Sequence, residues 1–114
     1  MFFEKDAKIL LKGQGKEAYF ELKRRNDQEA ITLLKSFDRV KEILKDNPQY
    51  GDPIKKDLIP REFKKLNINN LYRVELSHYW RMLYTIEGSE ISILVFVLKI
   101  TNHKEYNKLF GYKK

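Results

Sequence analysis

The sequence of 114 residues contains no cysteine, and only two histidines and three prolines. Without cysteine the chain has no disulfide framework, no zinc ribbon and no thiol nucleophile, and nothing in it requires an oxidising compartment. Neither His78 nor His103 has a carboxylate pair at metal-ligand spacing, so we expect no metal and no cofactor. Any chemistry must therefore depend on Arg, Lys, Tyr and a histidine.

Long hydrophobic runs are also missing. The longest covers residues 93–98, far short of the roughly 20 residues of a membrane helix. Near the N-terminus, Glu4, Lys5 and Asp6 stand where a signal peptide would be apolar. We therefore expect a cytoplasmic protein with no membrane partner, and the length predicts one domain over residues 1–114.

Positive charge is plentiful and unevenly distributed. The chain has 23 Lys and Arg against 16 Asp and Glu, a net charge of +7. Residues 61–114 hold ten basic and five acidic side chains, whereas residues 1–60 are nearly balanced. Such a distribution favours a polyanionic partner, either nucleic acid or an acidic protein segment, and ordinary solubility charge is the alternative.

The first half of the chain predicts a strand and two helices. Residues 7–11 indicate a strand, and residues 16–25 a short helix. A second helix, capped by Asn26 or Asp27 and ended at Asn47-Pro48, carries an apolar stripe at helical period. The stripe comprises Ala30, Leu33, Leu34, Phe37, Val40, Ile43 and Leu44.

The second half predicts a sheet. Residues 47–70 lack periodicity and indicate a connection with at most a turn of helix at 61–66, and a connection this long often carries function. Strands are expected at 71–77, 79–87 and 91–100, the last two joined at Gly88-Ser89, before a helix at 103–110 that Gly111 ends. Alternation predicts one core face and one polar face. We expect an α+β fold in the order β-α-α-β-β-β-α, with a mainly antiparallel four-stranded sheet, a helical hairpin on one face and a short C-terminal helix.

A glycine motif follows the first strand. Residues 13–18 match the dinucleotide-binding pattern GxGxxG/A between a strand and a helix. A dinucleotide site would need a second parallel strand ending in an acid about 20 residues later, where this sequence predicts the middle of a long helix. The motif is therefore interpreted as a strand-to-helix turn.

A cluster of polar residues is the remaining candidate site. Arg73 and Arg81 occupy the outward register of adjacent strands, so both guanidinium groups could converge on one phosphate. Lys99 ends the central strand, and His103 and Tyr106 lie on one side of the last helix.

This set of side chains fits RNA cleavage without a metal. A base removes the ribose 2′-OH proton, an acid protonates the 5′-oxygen, and cations stabilise the transition state. Histidine suits either proton transfer, and Tyr79, Tyr106 or Phe110 could stack on unpaired bases. The structural alternative is that the arginines are solvated or paired with neighbours such as Glu75, and that Tyr106 and Phe110 pack the last helix.

Four segments resemble the RelE/ParE toxin superfamily of type II toxin–antitoxin systems. They are LYRVEL at residues 71–76, YWRMLYTI at 79–86, ILVFVL at 93–98 and HKEY at 103–106. The segments NPQYGDP before them and LFGY after them resemble an archaeal-type branch of that superfamily.

The resemblance implies a RelE-like domain that acts as an endoribonuclease on mRNA on the ribosome and leaves a 2′,3′-cyclic phosphate. It also implies a cognate antitoxin with a helical segment as partner. By position, Arg81 corresponds to a transition-state stabiliser, Arg73 to a basic substrate contact, and His103 with Tyr106 to the C-terminal catalytic pair. The polar cluster itself, and not the resemblance, assigns Lys99 and Tyr79 to substrate binding.

Departures from the family pattern leave the identity of the base open. Glu75 stands where some members carry a lysine, Trp80 replaces the usual residue before the arginine, and the spacing from His103 to Tyr106 is one residue shorter than the commonest form. Two alternatives follow: a catalytically silent RelE-fold module that binds an acidic protein or nucleic acid, and a ParE-like gyrase inhibitor.

Overall fold

The computed structural model describes residues 7–88 and 92–111, which form an α+β fold. Five strands make one mixed sheet in the spatial order β1-β5-β4-β3-β2. The strands are β1 (Ala7–Leu11), β2 (Asp52–Pro53), β3 (Tyr72–Glu75), β4 (Arg81–Gly88) and β5 (Ile93–Thr101). β1 pairs with β5 in parallel, and the other three pairings are antiparallel.

Four helices accompany the sheet in the described part of the chain: α1 (Gly13–Arg25), α2 (Gln28–Asp46), α3 (Arg61–Lys64) and α4 (His103–Leu109). None of these helices combines the length and the apolar character that crossing a membrane would need. The expected helical hairpin, the turn of helix after residue 60 and the short last helix are confirmed. Ser89, in the predicted β4–β5 turn, lies outside the described residues.

The main core lies between the sheet and the α1–α2 hairpin, on what we call the hairpin face. α2 begins where the Asp27 carboxylate accepts a hydrogen bond from the Ala30 amide at 2.8 Å, while Asn26 ends α1 in a left-handed conformation. The predicted stripe of α2 faces the sheet, with Leu34 and Ile43 only half-buried. Its buried sheet partners include Val74, Leu76, Met82, Tyr84, Ile93, Val95, Val97 and Ile100.

The glycine motif serves packing. Gly13 has a positive φ of 53°, and a Cβ at Gly15 would lie 2.6 Å from the Val97 carbonyl oxygen. Only glycine lets α1 approach β5 this closely. The interpretation as a strand-to-helix turn is confirmed.

The expectation of one polar face is wrong. On the other side of the sheet, the second face, Leu83 lies between Arg81 and Thr85 and is completely buried. α3, α4 and the connection before β3 cover this part of the sheet and form a smaller core. Its buried members are Ile59, Phe63, Leu71, Leu83 and Tyr106.

The expectation of four strands is also wrong, because β2 adds a fifth. Asp52 stands opposite Arg73, and Pro53 opposite Tyr72. The buried Tyr84 hydroxyl fixes the preceding loop: it donates to the Pro48 carbonyl at 2.7 Å and accepts from the Gly51 amide at 2.9 Å. A single distant side chain therefore brings the loop to the sheet edge.

A β-bulge in β5 shapes the second face. Leu83 stands opposite Lys99, but its neighbour Tyr84 stands opposite Val97, so Leu98 is an extra residue. Leu98 packs in the smaller core and Lys99 pairs with Glu62 of α3. The bulge therefore directs two consecutive side chains to the same face.

Candidate functional site

The turn between β3 and β4 holds two consecutive residues in the left-handed region. His78 has a φ of 57° and Tyr79 a φ of 63°, and the Trp80 amide donates to the Ser77 carbonyl at 3.2 Å. Such turns normally carry Asn-Gly, since side chains with a Cβ are strained there by roughly 1–3 kcal/mol each. Strain of this kind persists only where the surroundings impose it.

Contacts with α2 impose this turn. The Ser77 amide donates to Ser36 Oγ at 3.3 Å, and the Trp80 indole donates to Glu29 Oε2 at 3.4 Å. Arg25 donates to the other oxygen of Glu29 at 2.7 Å and thereby lowers the pKa of that carboxyl. The strained turn is thus anchored to the long helix of the main core.

The turn brings Tyr79 next to His103. Their ring centroids lie 6.2 Å apart in an edge-to-face arrangement, and Tyr79 is 74% exposed. His103 is the first residue of α4, which begins where Asn102 Oδ1 accepts from the Glu105 amide at 2.8 Å. Two candidate residues distant in sequence therefore form one exposed pair.

Arg81 lies beside this pair at the start of β4. Its guanidinium donates to the Tyr79 carbonyl and lies 5.3 Å from the centroid of the Tyr106 ring. One Nη also lies 3.6 Å from Glu75, opposite it on β3. Because the side chain is only 17% exposed, these contacts fix most of its orientation.

Tyr106 joins the two arginines. The pKa of the Arg73 guanidinium is raised, first by the neighbouring Tyr106 hydroxyl and then by Asp52, which lies 3.1 Å away. Tyr106 itself is 2% exposed and packs on Phe110 at 4.6 Å between ring centroids. A ring so buried cannot stack on a base, so of the two expected roles only the orienting one fits this geometry.

Lys99 stands apart from the Tyr79–His103 pair. It shares a row of the second face with Arg73, and the buried Leu83 lies between them. Its ammonium lies 3.0 Å from Glu62. Lys99 is therefore held by an ion pair to α3, two strands away from Arg73 on the second face.

Each of the three candidate cations has a carboxylate partner. Asp52 pairs with Arg73, Glu75 with Arg81 and Glu62 with Lys99. The candidate site is thus locally balanced in charge, contrary to what the uneven distribution in the sequence favours. Exposed basic residues lie instead between β2 and β3 in the sequence, at Lys55, Lys56, Arg61, Lys64 and Lys65.

Sequence reasoning missed Asp52 and Glu62. Both belong to the stretch 47–70, where no periodicity assigns them to a face, and only the length of that connection pointed to function. As for metals, no three His, Asp or Glu side chains in residues 7–88 and 92–111 lie close enough together to hold an ion.

Comparison of the chain with protein-family models, curated proteins and solved structures gives no match.

Proposed function

We propose that the protein is the toxin of a type II toxin–antitoxin system, a metal-independent, ribosome-dependent endoribonuclease of the RelE type. The observation that carries the proposal is the Tyr79–His103 pair, which a strained turn presents beside Arg81. Strained backbone is concentrated at functional sites, where the protein loses some folding stability in order to hold a functional side chain in place.

The chemistry assigns a role to each candidate residue. His103 takes the proton of the ribose 2′-OH or gives a proton to the leaving 5′-oxygen. The 2′-oxygen forms a bond to phosphorus as the bond to the 5′-oxygen breaks, leaving a 2′,3′-cyclic phosphate and a 5′-hydroxyl. Arg81 and Arg73 stabilise the charge on the phosphorane-like transition state.

Three residues support this reaction. Tyr106 orients the arginines, because its buried ring lies 5.3 Å from the Arg81 guanidinium and its hydroxyl acts on Arg73. Tyr79 is exposed enough to stack on an unpaired base, and Lys99 on the second face can exchange its pairing with Glu62 for a phosphate oxygen. The substrate is mRNA on the ribosome in the cytoplasm.

The family assignment is part of the proposal. It is supported by the four sequence segments, the α+β class and the helical hairpin under the sheet. The short strand β2 and the mixed five-stranded sheet are features of this chain that a four-stranded antiparallel domain lacks. An antitoxin that neutralises the toxin through a helical segment is the partner expected on this assignment.

Inducible expression tests the proposed function. Wild-type protein is expected to arrest growth and to produce ribosome-dependent message cleavage, and Arg81→Ala and His103→Ala are expected to relieve both effects. Lys104→Ala is the matched control, since Lys104 is an exposed neighbour of His103 on the same helix. Sustained growth with intact message, from soluble and folded wild-type protein, would refute the proposal.

The carboxylate partners favour a second candidate function. A catalytically silent RelE-fold module would use Arg73 and Arg81 structurally, paired with Asp52 and Glu75. It would bind an acidic protein or nucleic acid without cleaving it, and His103→Ala would then change no phenotype. Cleavage by the purified protein excludes this candidate.

A further inference from the structure

A polar cleft of about 510 Å³ lies at the β2–β3 edge, next to Arg73. Its lining residues are Tyr50, Gly51, Asp52, Arg73, Val74 and Glu75. We propose that this cleft binds a nucleobase adjacent to the scissile phosphate and selects a base with amino donors, guanine above all, over uracil. The inference rests on the proposed function, because it places a base beside an arginine that contacts the phosphate.

The cleft is built from a fixed loop. Tyr84, completely buried, holds both the Pro48 carbonyl and the Gly51 amide through its hydroxyl. Tyr50 precedes and Asp52 follows the residue that is held. Their side chains therefore project from a backbone whose position a core residue sets, and such preorganisation lowers the cost of binding.

Gly51 shows how closely the loop is fitted to the sheet. A Cβ at this position would lie 2.9 Å from the Arg73 carbonyl oxygen, the Tyr84 hydroxyl and Val74 Cγ2 alike. Any other residue would push the loop off β3. The sequence thus keeps the loop against the strand that carries Arg73.

The exposed side chains of the cleft match a nucleotide. Tyr50 is 49% exposed and offers a ring for stacking. Asp52 and Glu75 are 75% and 65% exposed, and a carboxylate accepts hydrogen bonds but donates none. Guanine presents adjacent imino and amino donors to such a group, whereas uracil flanks its single donor with two carbonyl oxygens that a carboxylate repels.

Asp52 then has two alternative partners. Asp52 lies 3.1 Å from an Nη of Arg73. When a phosphate oxygen pairs with that guanidinium, Asp52 is released to accept hydrogen bonds from the base. A nucleotide therefore replaces both halves of the ion pair, which gives the carboxylate a use beyond neutralising Arg73.

Equilibrium binding of short oligonucleotides tests the site independently of cleavage. Fluorescein-labelled tetranucleotides carry a 2′-deoxyribose at the cleaved position, so that they are not cut, and differ only in one base on either side of that phosphate. We expect wild-type protein to prefer guanine over uracil at one of these positions by about tenfold, as one bidentate pair allows. Asp52→Asn should reduce that ratio to about twofold.

Matched variants separate base readout from general charge. Asp57→Asn makes the same charge change at an exposed position outside the cleft, so it should leave the guanine-to-uracil ratio unchanged. Tyr50→Ala should lower the affinity for oligonucleotides with any of the bases by about tenfold, because stacking is lost, whereas Tyr50→Phe should bind like wild type.

Two outcomes would overturn the inference. One is equal affinity of the wild-type protein for oligonucleotides with any of the four bases. The other is a guanine-to-uracil affinity ratio on which Asp52→Asn and Asp57→Asn have the same effect. A base preference that depends on Asp52 supports it even if the all-ribose oligonucleotides on programmed ribosomes stay intact. That last result would refute the proposed cleavage and leave the binding site established.

Discussion

The two faces of the sheet differ in the length of the helices that cover them and in the size of their cores. The hairpin face is covered by helices of 13 and 19 residues and buries a continuous apolar core. The second face is covered by helices of four and seven residues, and its small core is bordered by charged side chains. The larger core of the hairpin face contributes most of the folding stability. The second face can therefore carry the strained turn and its polar side chains, because contacts with α2 hold that turn in place.

The largest expected difference between the faces comes from removing one phenylalanine on each. Phe37 of α2 and Phe63 of α3 are equally buried, at 3% and 4% exposure. Phe37→Ala should lower the free energy of unfolding by about 3–5 kcal/mol. Phe63→Ala should cost about 2–3 kcal/mol, because a four-residue helix can collapse into the space.

Urea denaturation measures both variants, and hydrogen exchange locates the effect. Loosening confined to residues 54–68 is expected for Phe63→Ala, and global weakening for Phe37→Ala. The two faces would not differ as described if both variants lost the same unfolding free energy and the same hydrogen-exchange protection throughout the chain.

Tyr84 links the main core to the loop before β2, and removal of its hydroxyl has the next largest expected effect. Tyr84→Phe leaves the Pro48 carbonyl and the Gly51 amide without their partner and should cost about 1–3 kcal/mol. Tyr72→Phe is the control, because Tyr72 stacks on Tyr84 at 5.2 Å but is only half-buried. Thermal unfolding of both variants checks this, and equal losses would contradict it.

The same hydroxyl predicts a dependence on alkaline pH. Burial raises the pKa of Tyr84 from 10.0 to about 12. A raised pKa favours the neutral form in the folded state, so its contribution is complete below pH 10 and is lost as the pH rises through about 12. The total is at most about 3 kcal/mol, from two pKa units.

Comparison with the Phe variant isolates this contribution from other titrating groups. The difference in unfolding free energy between wild type and Tyr84→Phe should shrink between pH 10 and pH 12. A difference that stays constant over that interval would show that the hydroxyl is not protected as described.

Helix caps on the two faces should separate stability from activity. Asp27→Ala at α2 and Asn102→Ala at α4 each remove one cap and should each cost about 1 kcal/mol. Only Asn102→Ala should reduce cleavage, because Asn102 fixes the turn that holds His103. Cleavage is measured well below the melting temperature of both variants. If Asp27→Ala lowered the cleavage rate as much as Asn102→Ala, the position of His103 on α4 would not explain the loss.

The smallest expected effects on stability are at the ion pairs of the second face. Asp52→Asn and Glu62→Gln should each change the free energy of unfolding by less than about 1 kcal/mol, since both carboxylates are at least half exposed. Chemical denaturation at low and high salt checks this. A larger loss would mean that these pairs hold the fold rather than set the charge of the site.

Local pattern predicted the hairpin face well. Helical period identified the stripe of α2, and alternation placed Trp80, Met82, Tyr84 and Ile86 on one side of β4, as the structure has them. Both signals arise within one element. The main core could therefore be derived from the sequence alone.

The second face depends on contacts between elements that no local pattern records. β2 exists because Tyr84 reaches a loop 33 residues earlier, and Leu98 and Lys99 share a face because of a bulge in pairing. The strained turn at His78 and Tyr79 contains no glycine, the residue from which such a turn is normally predicted. The candidate residues, the pairing of an arginine with Glu75 and the packing of Tyr106 on Phe110 could thus be predicted, whereas the partners Asp52 and Glu62 could not.

End-group analysis of message cut by purified protein on programmed ribosomes decides whether this protein is a metal-independent endoribonuclease. We predict cleavage with a 2′,3′-cyclic phosphate and a 5′-hydroxyl, slowed by about 10²–10³-fold in Arg81→Ala and unchanged in Lys104→Ala. Intact message with folded wild-type protein, or equal cleavage by wild type and Arg81→Ala, would contradict it.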